Sequence, residues 1–104
     1  EKDRKTVKES MQSVPKQLPS LMRTRKVVKK AKKDGFDFAV TEDDIISLAE
    51  KLKTAQGDER EELITDIVFN TVVLSDGADI EKHLSEKTDE FINDYKDKGV
   101  NNET

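Results

Sequence analysis

The sequence predicts an all-α domain, a four-helix bundle completed by a second copy of the chain. Three observations carry the all-α expectation. Apolar residues recur at intervals of three and four, and capping residues and glycines punctuate these stretches; no strand-like alternation or internal repeat appears. At 104 residues there is room for one modest core. Apolar residues make up 33% of the chain and charged residues 40%, so order depends on where the apolar residues fall and on burial against a partner.

Residues 1–17 show no apolar periodicity and end at Pro15, so they read as a mobile or weakly helical polar arm. Pro19 opens the first helix, expected over 19–34, where a missing N–H is harmless. Leu21, Met22, Val27, Val28 and Ala31 lie on one side of it, and Gly35 caps its end. Phe36 and Phe38 in the following connection are placed to plug one end of the core. Thr41 and Asp44 form a capping box for a second helix over 42–55, with Ile45, Leu48, Leu52 and Ala55 at helical spacing.

Asp58 and Glu61 signal the start of a third helix that ends at Gly77. Its apolar residues, Leu63, Ile64, Ile67, Val68, Phe69, Val72, Val73 and Leu74, surround the helix rather than lining one stripe. That pattern predicts a central helix buried nearly all round, with another subunit covering its second face. Asp79 caps a fourth helix, whose apolar edge is Ile80, Leu84, Phe91, Ile92 and Tyr95. Gly99 then begins a polar tail, giving an expected helical domain over 18–98 and a tail over 99–104.

Charge divides along the chain. Lys and Arg dominate residues 1–34, whereas Asp and Glu dominate the rest, and the sum is −4. A basic arm on an acidic body argues against a nucleic-acid binder, and neutralisation within the chain or across a dimer is the expectation. The run from Arg23 to Lys33 has no interleaved aromatics for base stacking and reads as a solvated face. The chain has no Cys, which excludes disulfides and is compatible with a reducing cytoplasm. No membrane span or secretory signal is expected. His83 is the one histidine, so neither a His-based metal cluster nor a Ser/His/Asp triad can be assembled. The opening Glu1 and its polar run are expected of a segment from a longer protein.

The lead-in Val14-Pro15-Lys16-Gln17-Leu18-Pro19-Ser20-Leu21-Met22-Arg23 resembles that of a C-terminal MazG domain. The resemblance continues through Lys26, Lys29, Lys30 and the Gly35-Phe36-Asp37-Phe38 junction. It resumes at Glu61-Glu62-Leu63-Ile64-Thr65-Asp66-Ile67-Val68-Phe69, and covers roughly residues 14–95. It implies an all-α dimer of the nucleotide pyrophosphohydrolase family, in which Mg²⁺ serves cleavage of nucleoside triphosphates to monophosphate and pyrophosphate. The family's site is Glu-Glu-x-x-Glu on one helix and Glu-x-x-Asp on the next. Carboxylates at i, i+4 and i, i+3 share a helix face, as a hard cation with oxygen ligands requires.

Carried over residue by residue, the first motif falls on Glu50, Lys51 and Thr54 and the second on Leu63 and Asp66. Glu50 and Asp66 are the residual metal-ligand candidates, while Lys51, Thr54 and Leu63 are eroded positions. The family's substrate-contacting Asn and Lys fall on Thr88 and Glu90. Glu59, Glu61 and Glu62 suit the positive end of the third helix without any metal. The resemblance thus implies a degenerate domain, with no confident catalytic residue, in which Leu63, Ile64, Ile67, Val68 and Val72 form core or dimer contact. Its implied partners are a second copy and the catalytic MazG domain of a parent chain, of the type led by a tetrapyrrole-methylase-like domain. Two alternatives are an active Mg²⁺-dependent enzyme recruiting Glu42, Asp43 or Asp44, and a nucleotide sensor that binds without hydrolysis.

Overall fold

The computed structural model describes residues 6–99, which form five helices and, among the described residues, no strand. The first, α1, spans Val7–Gln12 within the segment expected to be an arm. Thr6 and Glu9 explain it. The Glu9 N–H donates to Thr6 Oγ1 at 3.0 Å, and the Thr6 N–H donates to Glu9 Oε1 at 3.1 Å. This reciprocal box satisfies two otherwise orphaned donors. The arm is also not detached: Val14 is buried, and α1 packs against α2. The folded unit therefore begins before the expected residue 18. Residues 1–5 and, beyond Gly99, the expected tail lie outside the described residues.

Helix α2 spans Ser20–Lys33, with Pro19 at its N-cap. It ends in a Schellman arrangement: Phe36 N–H donates to the Ala31 carbonyl at 2.9 Å and Gly35 N–H to the Lys32 carbonyl at 3.0 Å. Gly35 has φ of 94°, a left-handed value that glycine adopts without a Cβ penalty. Of the two aromatics beyond it, Phe38 is half-buried and packs on the core. Phe36 stays exposed and meets Phe38 edge to face at 4.8 Å. One ring plugs the core, not two.

Helix α3 spans Glu42–Leu52. At its start the Thr41 N–H donates to Asp44 Oδ2 at 2.8 Å, as the spacing predicts. The helix stops short of the expected residue 55, because Lys53, Thr54 and Ala55 make tighter i→i−3 bonds to Glu50, Lys51 and Leu52. Ala55 is buried nonetheless.

Helix α4 spans Gly57–Ser75. The expected cap at Asp58 is not formed; the N-cap is Gln56 and makes no side-chain cap bond, while Asp58 and Glu59 sit in the first turn near the helix's positive end. The other terminus is a left-handed Asp76 (φ 47°), one residue before the glycine expected to close the helix. Helix α5 spans Ile80–Gly99, and Asp79 caps it by accepting the Lys82 N–H at 3.0 Å.

The core is small. Val28 from α2 meets Val72 and Val73 from α4, and half-buried Leu21, Phe38, Val40 and Ile80 close around them. Helices α2 and α3 both pack on α4, whereas α5 lies along no other helix. This differs from a closed four-helix bundle. Two contacts hold the α4–α5 corner to α2: Lys32 Nζ donates to the Val73 carbonyl and lies 3.5 Å from Asp76 Oδ1, and Arg25 Nη1 lies 4.0 Å from Asp79 Oδ1.

The molecule measures 68 × 31 × 22 Å with a radius of gyration of 18.1 Å, against about 13 Å for a compact domain of this length. Its accessible surface is 8398 Å², where a compact monomer of this mass exposes about 5900 Å². Helix α4 is not buried all round. Leu63, Val72 and Val73 face inward, but Ile64, Val68 and Phe69 on its other side are exposed. No helix among the described residues is long and apolar enough to cross a membrane.

Candidate functional site

The two candidate metal-ligand acids, Glu50 and Asp66, come from neighbouring helices in different settings. Glu50 lies in the last turn of α3, exposed, with Oε1 3.4 Å from Lys53 Nζ. Asp66 is exposed in the middle of α4. Lys51 and Thr54 are exposed at the end of α3, so the cation at Lys51 stands next to Glu50 in the helix. Leu63 is buried, pointing to the inner side of α4. An aliphatic chain there adds apolar burial where a carboxylate would need solvation or a partner.

Helix α5 contributes little to this region. Thr88 and Glu90 are exposed, and the Thr88 hydroxyl donates to the Leu84 carbonyl of its own helix at 2.9 Å. Because α5 lies along neither α3 nor α4, the third helical segment of the expected site stands apart from the first two. Glu42 and Asp43 are exposed in the first turn of α3, and Asp44 is committed to the Thr41 cap. Among the described residues, no group of three or more His, Cys, Asp or Glu side chains is placed to hold a metal ion. His83 is exposed, with Nδ1 3.8 Å from Glu86 Oε1.

Of the expected core or dimer residues, Leu63 and Val72 are buried, Ile67 is half-buried, and Ile64 and Val68 are exposed. The structure brings Ile67, Val68 and Val72 together with Leu21, Ile80 and Leu84 around an apolar groove of about 500 Å³ between α2, α4 and the start of α5. The sequence reading found the apolar residues but not this groove, because its walls come from segments some 60 residues apart.

A second feature escaped the sequence reading. Lys26, Lys29, Lys30 and Lys33 line a cleft of about 530 Å³ whose other wall is Ser13, Val14, Pro15 and Leu18. The i, i+3, i+4, i+7 spacing of the lysines was legible, but the opposing wall depends on the fold of the arm. The basic and acidic parts of the chain do meet within one copy, through Lys32 with Asp76 and Arg25 with Asp79.

Comparison with models of protein families, with curated proteins and with solved structures finds no significant match for this chain.

Proposed function

We propose that the chain is a MazG-like domain with an eroded carboxylate set, which serves self-association and assembly of a larger protein rather than nucleotide hydrolysis. The observation that carries the assembly half is the apolar side chains left exposed on α4 and α5, among them Ile64, Val68, Phe69, Phe91, Ile92 and Tyr95. Contiguous apolar surface of that kind marks an interaction site. The partners fitting this reading are a second copy and the catalytic MazG domain of the parent chain.

The non-catalytic half is supported by the donor set. Mg²⁺ takes oxygen ligands in near-octahedral geometry. The five aligned positions offer the carboxylates of Glu50 and Asp66, a hydroxyl at Thr54, a buried aliphatic at Leu63 and a cation at Lys51. A lysine beside a divalent ion adds repulsion of several kcal/mol, on the order expected for unit charges in a partly solvated site. These residues do not fit the family's metal, and no hydrolytic step is derived through it.

A second reading, a sensor that binds nucleotide without cleaving it, is favoured by the lysine-lined cleft beside α1, where four ammonium groups could meet phosphate oxygens. One set of measurements separates the readings. The purified chain is incubated with nucleoside triphosphates and Mg²⁺, pyrophosphate release is followed, and nucleotide binding is measured by calorimetry. The expected result is no Mg²⁺-dependent release and no binding heat. Release that disappears in Asp66→Asn overturns the non-catalytic reading, and saturable binding lost on neutralising Lys29 and Lys30 establishes the sensor.

A further inference from the structure

On the basis of the assembly reading, we propose that the cleft between α2 and the segment after α1 docks an extended acidic segment of a partner protein, in which carboxylates alternate with apolar side chains. One wall of the cleft is Lys26, Lys29, Lys30 and Lys33, and the other is Ser13, Val14, Pro15 and Leu18. The space between them is about 530 Å³, within the roughly 300–1,000 Å³ of ligand clefts.

The fold leaves these four cations unused. Residues 10–33 hold eight Lys/Arg and no Asp or Glu, while the rest of the chain carries −12. Two of the eight meet acids of the same copy, Arg25 at Asp79 and Lys32 at Asp76. The cleft lysines are exposed and, among the described residues, none forms an ion pair with a carboxylate. Lys30 and Lys33 suit the negative end of α2, but Lys26 and Lys29 precede its last turn. At i, i+3, i+4 and i+7 the four repel one another along one helix face and weaken the helix. An anion in the cleft removes that repulsion.

The second wall selects the anion. Val14 is buried and Leu18 half-buried beside Pro15, so this side offers apolar contact. No aromatic ring lines the cleft, and a nucleic-acid base has no face to stack on. A triphosphate uses the lysine wall alone. A long polyanion such as RNA runs past the cleft onto the acidic remainder of the chain, which repels it. An extended peptide satisfies both walls at once, because its successive side chains point to opposite sides. With its carboxylates towards the lysines, the residues between them face Val14, Pro15 and Leu18. From Lys26 to Lys33 the stripe runs roughly 10 Å along the helix, about three residues of extended chain. Acid, apolar, acid is the shortest motif that fits. An exposed ion pair alone is worth little, so binding requires the apolar contact as well as the charge.

The test titrates the whole chain, at low salt, with a labelled Glu-Leu-Glu-Leu-Glu peptide and with a block peptide of the same composition, Glu-Glu-Glu-Leu-Leu. An oligouridylate and ATP are titrated in parallel. The alternating peptide is expected to bind roughly tenfold more tightly than the block peptide. Lys26→Gln combined with Lys29→Gln changes exposed side chains only, so helical content is expected to be unchanged while peptide affinity falls roughly tenfold. Leu18→Ala is expected to weaken the alternating peptide severalfold and leave the block peptide unchanged. Equal affinity for the two peptides, or no binding of either, overturns the proposal. Tighter binding of oligouridylate or ATP, lost in the double lysine variant, puts phosphate in the cleft and also overturns it. Solution mass, measured alongside, separates this proposal from the assembly reading. A self-associating chain that ignores the peptides overturns the docking site alone, whereas a chain of single mass that binds the alternating peptide overturns self-association and leaves the docking site standing. Self-association abolished by the double lysine variant seats a second copy in the cleft and overturns the separate acidic partner.

Discussion

Lys32 offers the clearest test of how this open fold is held together. Its ammonium group donates to the carbonyl of Val73, one of the last four carbonyls of α4, which have no partner within the helix. It also lies 3.5 Å from the Asp76 carboxylate. These two interactions differ in worth. The Asp76 side chain is 82% exposed, so that pair is screened by water and contributes close to nothing. A charged hydrogen bond to an orphan carbonyl is worth about 1.5–3 kcal/mol when buried, with a further few tenths from the negative end of the helix. The Lys32 side chain is one-third exposed, which reduces the total to about 1–2 kcal/mol. Lys32→Met keeps most of the apolar stem and removes the donor, so this loss is the expected cost. Asp76→Asn, which leaves the carbonyl contact in place, is expected to cost under about 0.5 kcal/mol. Urea unfolding at one fixed protein concentration reads both, because the proposed self-association would make apparent stability concentration-dependent. A neutral Lys32→Met together with a costly Asp76→Asn would refute the reasoning and assign the corner's stability to the ion pair.

Two other substitutions probe elements placed from sequence. Asp44→Ala removes the acceptor of the Thr41 N–H and is expected to cost about 0.5–1 kcal/mol, seen as a lower urea midpoint with an unchanged slope; no change in midpoint would mean that water replaces the carboxylate. Val28→Ala deletes two methyl groups at the centre of the small core and is expected to cost about 1–3 kcal/mol, which for a chain of this length lowers the melting temperature by several degrees. A loss below 0.5 kcal/mol would mean that the loosely packed surroundings collapse into the space.

Much of the helical layout was legible because its causes are local. The three–four spacing of Ile45, Leu48 and Leu52, the Thr41–Asp44 pair, the Asp79 cap and the glycine after α2 each act within one turn of chain. The same kind of signal was present and overlooked at Thr6 and Glu9, where a polar run without apolar periodicity concealed a capping box. Helix ends were less legible. Ala55 is buried at helical spacing but outside the helix, and burial alone does not extend a helix whose last turn has tightened. The candidate acids Glu50 and Asp66 could be named from sequence, yet whether acids on different helices approach one another depends on how the helices cross. That is a property of packing, not of spacing.

The sequence by itself determined that the chain is helical, where most of its helices begin, and that α4 carries more apolar residues than one face can bury. These follow from backbone capping and side-chain periodicity, which are set by neighbours in the chain. Only the tertiary structure decided that α5 stands away from the core, that Lys32 and Arg25 tie its corner to α2, and that the surplus apolar surface of α4 faces a groove. Those outcomes depend on contacts between residues 40 or more positions apart, whose geometry no local pattern specifies.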